Sequence, residues 1–264
     1  MTTVVKVGGA AGNSIAGVLD DLVGRHDYVL VHGGSERVDR LVAALGRPAE
    51  YYTSPTGVVS RRSDSAHLEA VVLGLSGAVQ TELVAALLTR GVRAIGLSGV
   101  DAGLLRARRK DGVREVVDGK VLRVRDDWSG TIEHVDAALL RSLLALGLVP
   151  VVGPPAVTER GEVVNVDADR VAAEVAVALR SEALVLLTNV PGLLRDRNVP
   201  ASLIRAVARD EIDAALTVAE GRMRKKVLAA RRAVEGGVPR VVIASSEGAA
   251  PVGRALAGEG TVFS

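Results

Sequence analysis

Only five of the 33 basic residues in this 264-residue chain are lysines, and three of them, Lys6, Lys225 and Lys226, fall in segments whose residue types suit anion chemistry. Lys6-Val7-Gly8-Gly9-Ala10 runs a β-branched strand into paired glycines ahead of a helical stretch. Glycines after a strand let backbone N–H groups converge on an anion, and the next helix N-terminus adds partial positive charge. A lysine in that strand places its ammonium beside the same phosphate. The same residues also fit a plain strand–turn–helix with a snorkelling lysine. Val31-His32-Gly33-Gly34-Ser35 repeats the arrangement and sets two anion-binding rims on one edge of a sheet. His32 is there either a base or, with no carboxylate near it in sequence, a side chain pinning the loop. Both the P-loop and the dinucleotide glycine fingerprints are missing.

Three further segments carry candidate chemistry. In Asn165-Val166-Asp167-Ala168-Asp169, Asn165 suits the cap of the following helix, and two carboxylates two residues apart could ligate a metal or orient cations. Thr188-Asn189-Val190-Pro191-Gly192-Leu193 is a strand end turning through Pro-Gly. Gly221-Arg222-Met223-Arg224-Lys225-Lys226 puts cations in a first helical turn, where they oppose the helix dipole. An anion bound there would make sense of that placement; so would plain solvation.

The elements that must hold these segments alternate. Strand-like runs at Val4–Val7, Tyr28–Val31, Ala94–Leu97, Leu148–Val152, Leu184–Leu187 and Val241–Ala244 are separated by Ala/Leu-rich helical stretches, among them Ser14–Val23, Glu36–Leu45, Ser65–Leu88, Ala168–Leu179 and Met223–Val234. That β-α alternation predicts an α/β three-layer sandwich with a mainly parallel central sheet. Val113–Val124 alternates about Asp118-Gly119, which predicts an antiparallel hairpin insert. Hydrophobic residues are 48% of the chain but aromatics only 2%, which fits Val/Leu/Ala packing and argues against base stacking on exposed rings. A charge of +2 is too balanced for a nucleic-acid-coating protein, and the absence of cysteine removes disulfides, thiolate metal sites and a Cys nucleophile. No leader and no membrane-length uninterrupted apolar run is evident, so the expectation is a soluble, cytoplasmic protein contacting neither membrane nor nucleic acid.

In this order and spacing the motifs resemble those of the amino acid kinase family over essentially the whole chain. Within it the resemblance is to N-acetylglutamate kinases and, more closely, to kinases acting on glutamate or 2-aminoadipate attached to an amino-group carrier protein. The His32–Ser35 loop, Val59-Ser60-Arg61, Gly96–Asp101 followed by Arg108-Arg109-Lys110, Asn189-Val190-Pro191-Gly192 and Gly221-Arg222-Met223 carry the latter. Acetylglutamate enzymes usually have Asp where Asn189 stands and a third Gly where Ser35 stands. The resemblance implies that Lys6 and Lys226 stabilise a transferring phosphoryl group and that Asp169 holds both. It places Lys6, Gly8, Gly9, Thr188, Asn189, Val190, Gly192, Leu193 and Lys226 around ATP, and Gly33, Gly34, Arg61 and Asn165 around the amino acid. It further implies Mg²⁺ riding on the nucleotide with no protein metal site, a homodimer, a downstream acyl-phosphate reductase, and two lobes of one domain, about 1–165 for the acceptor and dimerisation and 166–264 for ATP.

The partner expectation has its own signal. Residues 106–125 hold eight cations against Asp111, Glu115 and Asp118, a local +5 that exceeds the whole chain's +2. Such a segment suits a solvated edge hairpin that blocks strand pairing. With the resemblance, Arg106, Arg108, Arg109, Lys110, Arg123 and Arg125 become candidates for docking an acidic carrier.

Overall fold

In the computed structural model, residues 2–9, 14–46, 51–53, 59–117, 120–124 and 126–264 are described, those at 53, 59–61, 113–115 and 117 by their backbone alone. The Val/Leu runs assemble into an eight-stranded sheet in the order Ala206–Val207, Thr261–Phe263, Val241–Ser245, Ala183–Thr188, Thr3–Val7, Tyr28–His32, Val149–Gly153, Ala94–Ser98. All neighbours are parallel except Val241–Ser245 with Thr261–Phe263. A parallel sheet needs cover on both faces, and the strands are accordingly apolar almost throughout. Val4, Leu184, Leu186 and Ile243 pack on one face with the helices Ala168–Leu179 and Gly221–Glu235. Val5, Leu30, Val185 and Val242 pack on the other with Ile15–Leu22, Gln80–Leu88 and Pro251–Leu256. Fully burying one such side chain contributes roughly 1.5–3 kcal/mol, so this three-layer core dominates the stability. The predicted sandwich is present.

The insert is more elaborate than expected. Val113–Val117 and Lys120–Val124 do pair antiparallel; Asp118-Gly119 lies outside the described residues. Beside them a separate four-stranded sheet joins Val163–Val164, Ala156–Val157, Leu105–Arg109 and Gly130–Val135. The strand Gly130–Val135 escaped the sequence reading because only Ile132 and Val135 are buried and its partner is distant in sequence. Tyr51–Thr53 and Val59–Arg61 form a short antiparallel pair next to the hairpin strand Val113–Val117.

The segment Ser65–Leu88 is one continuous helical run of 24 residues, long and apolar enough by length and composition to cross a bilayer. Glu69, Gln80 and Glu82 interrupt its apolar residues, so it is not an uninterrupted apolar run of membrane length. Its middle, Val72–Val79, is π-helical rather than α-helical. At Gly74 a Cβ would lie 3.1 Å from Leu41 Cδ1 and 3.3 Å from Val38 Cγ2, so the helix Ser35–Ala44 presses close there. Ala70, Val71, Leu75, Leu83 and Leu87 face the protein, while Val72, Leu73 and Leu88 face outward.

Candidate active site

Strand alternation aims Lys6. Val4 points to the sheet face that carries Ala168–Leu179 and Gly221–Glu235, and Lys6, two residues on, points the same way. Asp169 stands in the first turn of the former helix and Lys226 in the second turn of the latter. The three side chains meet. Lys6 Nζ lies 2.7 Å from Asp169 Oδ1, and Lys226 Nζ lies 3.0 Å from both Asp169 oxygens. They are 5%, 7% and 7% exposed, so two ammoniums and one carboxylate form a buried cluster with one positive charge in excess. Burial alone would raise the Asp169 carboxyl, but the Lys226 and Lys6 ammoniums hold it well below the usual carboxylate range. Burial lowers Lys226 from the ordinary lysine value, Asp169 opposing that shift and Lys6 adding to it.

Asp167, not Asn165, caps the helix Ala168–Leu179: its Oδ1 accepts from Asp169 N–H at 2.9 Å and Arg170 N–H at 3.2 Å. Its Oδ2 lies 3.6 Å from Lys225 Nζ. Asn165 instead continues a strand contact, donating its N–H to Trp128 O at 2.7 Å and its amide to Ser63 Oγ at 3.1 Å. Among the described residues no group of three His, Asp or Glu gathers as a metal site.

The buried cluster forms part of the wall of an open cleft of about 1430 Å³, larger than the ~300–1,000 Å³ typical of a single small-molecule site. Helix N-termini at Ser35, Ala168 and Gly221 line it, and the partial positive charge of each helix end is directed there. Gly8, Gly9, Gly33 and Gly34 line its centre. The two glycine pairs touch back to back, since a Cβ on Gly9 would overlap the backbone Cα and N of Gly34. Thr188, Asn189, Val190, Gly192 and Leu193 line one end. At Gly192 a Cβ would come 2.6 Å from Thr261 Oγ1, the atom that accepts from Leu193 N–H at 2.8 Å. Asn165 lies toward the other end, with Tyr51, His67, Val71 and Leu75, none of which the sequence marked. The Arg61 side chain lies outside the described residues, and its backbone pairs with Tyr51.

His32 is not at the cleft surface. It is fully buried, burial lowers it to about 4, and its Nε2, with no partner among the described residues, abuts Gly153 where a Cβ would collide with the ring. That leaves the loop-pinning alternative and removes a base. The basic segment is only partly free. Arg106, Arg108 and Arg123 are exposed, with Arg108 on Glu133 at 2.9 Å and Arg123 donating to Asp111 O at 3.1 Å. Arg109 is engaged inside: its guanidinium stacks 3.7 Å from the Trp128 ring and donates to Asp127 O at 2.9 Å. Arg125 lies outside the described residues.

Helix N-termini, glycine loops and a buried Lys–Asp–Lys cluster together make a cleft suited to a phosphorylated ligand, on an α/β architecture. The sequence profile of the Amino acid kinase family matches residues 1–245, and the chain belongs to that family. It is 46% identical over 265 residues to the LysW-aminoadipate kinase of Deinococcus radiodurans, covering 99% of this chain and 91% of that one. It is 44% identical to the LysW-aminoadipate kinase of Thermus thermophilus, covering 98% of each. The acetylglutamate kinase of Methanopyrus kandleri is 38% identical, again with 98% of each covered. Among solved structures, N-acetylglutamate synthase from Neisseria gonorrhoeae superposes with a TM-score of 0.78 at 28% identity, over all of this chain and 59% of that one. The protein is therefore a kinase with a carboxyl group as acceptor and ATP as its donor.

Proposed function

We propose that the chain transfers the γ-phosphate of ATP to the side-chain carboxylate of glutamate or 2-aminoadipate held on an acidic amino-group carrier protein. The observation that carries this reading is the buried excess positive charge: Lys6 and Lys226 share the single carboxylate of Asp169. A buried ammonium without its own counter-ion is costly, and a phosphoryl group between acceptor and ADP supplies the missing anion. The acceptor carboxylate is already ionised near neutrality, so no general base is required. Its oxygen attacks the γ-phosphorus, the bond to the ADP oxygen breaks, and an acyl phosphate and ADP result. Lys6 and Lys226 neutralise charge on the transferring group, Asp169 holds both ammoniums in place, and N–H groups of Gly8, Gly9 and Gly34 align the two substrates, with Gly33, whose own N–H bonds Val7 O, leaving room beside them. Mg²⁺ is carried in on the nucleotide phosphates and supplies further charge neutralisation when bound.

Thr188–Leu193 forms the nucleotide end and Gly33, Gly34, Arg61 and Asn165 the acceptor end, matching lobes of about 166–264 and 1–165. The relatives named for LysW-linked substrate support a carrier-linked acceptor, as do Ser35 and Asn189. Arg106, Arg108, Lys110, Arg123 and Arg125 would meet the carrier; Arg109, occupied by Trp128, drops out of that face. The hairpin strand Val113–Val117 lies beside Tyr51–Thr53, whose Tyr51 reaches the cleft rim, so a docked carrier could deliver a tethered side chain. The outward Val72, Leu73 and Leu88 face of Ser65–Leu88 is where a second copy would pack as a homodimer. An acyl phosphate is reactive, and a cytoplasmic reductase is the expected consumer.

The test offers ATP with carrier-linked aminoadipate, carrier-linked glutamate and free N-acetylglutamate in turn and measures ADP release. Turnover of a carrier-linked acid at least tenfold above acetylglutamate is expected; preference for acetylglutamate would overturn the carrier reading in favour of N-acetylglutamate kinase activity.

A further inference from the structure

The helices Ala168–Leu179 and Gly221–Glu235 pack against each other, and both point their N-termini at the cleft. Three acid–base contacts join them at successive levels along the helices, with every acid on the first helix or its cap and every base on the second. At the mouth Asp167 faces Lys225 at 3.6 Å, both partly solvated. Next comes Asp169 with Lys226. Farthest from the cleft along the helices, Arg232 Nε and Nη2 donate to Glu174 Oε1 and Oε2, each at 2.9 Å, in a two-bond fork. Glu174 is buried, and Arg170 Nη2 lies 2.8 Å from its Oε1, so both oxygens are satisfied.

Glu174 stands five residues beyond Asp169, and Arg232 six beyond Lys226. At 1.5 Å per residue those offsets are about 7.5 and 9 Å, nearly equal, as helices running side by side in one direction require. One cross-link between two such helices is a pivot. Two cross-links about 8 Å apart fix both sliding and rotation. Apart from Val171, Val175 and Val227, the side chains buried at these levels are small, Ala172 and Ala173 on one helix and Ala229, Ala230 and Ala233 on the other. Alanine surfaces approach closely but interlock weakly. A slip of one residue would move Lys226 by about 1.5 Å against Asp169, half the length of the bond it makes.

We infer that the Glu174–Arg232 fork is a positioning device for the phosphoryl-transfer centre: it sets the register of the two helices and so places Lys226 on Asp169. The inference rests on the proposed roles of Lys6, Asp169 and Lys226. Glu174 and Arg232 touch no reacting atom; they act through the helices. A fork has direction, whereas a lysine at position 232 would restore only the charge.

The test compares Arg232→Ala, Arg232→Lys, Glu174→Gln and the double variant Glu174→Met/Arg232→Met with wild type and with Lys226→Ala, using whichever acceptor the wild type turns over. The double variant keeps the space filled without a buried unpaired charge, so it is the one expected to fold normally. Expected are a fall in kcat of tenfold or more in all four fork variants, KM for ATP within about threefold, and no rescue by lysine, with the double variant's melting temperature near wild type. Near-wild-type kcat in a folded double variant, or full rescue by Arg232→Lys, would overturn the positioning role. If Lys226→Ala itself retains kcat, the proposed centre fails first, and the two failures are told apart.

Discussion

Lys6 and Lys226, at opposite ends of the chain, bring their Nζ atoms to 2.7 and 3.0 Å from one oxygen, Oδ1 of Asp169. Two cations on one buried anion is an arrangement short of a partner, and in the function proposed above the transferring phosphoryl group is that partner. The next lysine, Lys225, faces the more exposed Asp167 instead.

That difference separates two adjacent lysines experimentally. Lys226→Ala or Lys6→Ala is expected to lower kcat by about 100-fold or more with a small change in KM for ATP, the size found for removing one preorganised charge donor. Lys225→Ala is expected to cost less than about tenfold. Asp169→Asn leaves two ammoniums facing each other and is expected to destabilise the fold by roughly 3 kcal/mol as well, read from the urea midpoint.

The contact between the glycine pairs makes its own demand. Gly9→Ala forces its Cβ into the Gly34 backbone, so the two loops must part. The expectation is a loss of about 1–3 kcal/mol in stability together with a fall in kcat. Gly77→Ala, whose added Cβ meets nothing closer than 3.9 Å, is the control in both thermal melts and kinetics.

His32 gives the stability a pH dependence. Its value falls from 6.5 to about 4 because burial penalises the charged ring. The unfolded chain therefore binds more proton than the folded one between these values, and stability rises with pH across that window. A shift of this size corresponds to about 3 kcal/mol, absent as a penalty above pH 6.5 and complete below pH 4. Urea midpoints measured from pH 4 to 7 are expected to rise less steeply in His32→Gln than in wild type.

Docking predicts a salt-sensitive KM. Arg106→Glu with Arg123→Glu is expected to raise KM for carrier-linked acceptor by about tenfold at low salt, with KM for ATP unchanged and the difference shrinking as salt rises. An unmoved KM would remove this surface from the docking account. Arg109→Ala is expected instead to lower the melting temperature, because it strips the cation from Trp128 and the donor from Asp127 O.

Much of the sheet was legible because its strands obey local rules. Valine-rich runs ended by glycine read as buried parallel strands, and Ala168–Leu179 was read to its exact bounds. Local pattern also singled out the lysines, the paired glycines and the Asp167–Asp169 segment. It failed where a partner lies far along the chain. Gly130–Val135 is a strand because Leu105–Arg109 pairs with it, and no local pattern marked the π-helical segment Val72–Val79.

The same division holds for the site. Residue type and spacing alone determined that this chain carries two glycine rims, a lysine in the first strand and a basic turn opening a late helix. Only the tertiary structure decided that His32 faces inward, that Arg109 belongs to Trp128, and that Glu174 and Arg232 join the two helices behind the centre. The physical reason is one of range. Backbone conformation and strand alternation act over a few residues, whereas the energy of a charge depends on whatever surrounds it within a few ångströms, and those neighbours come from anywhere in the chain.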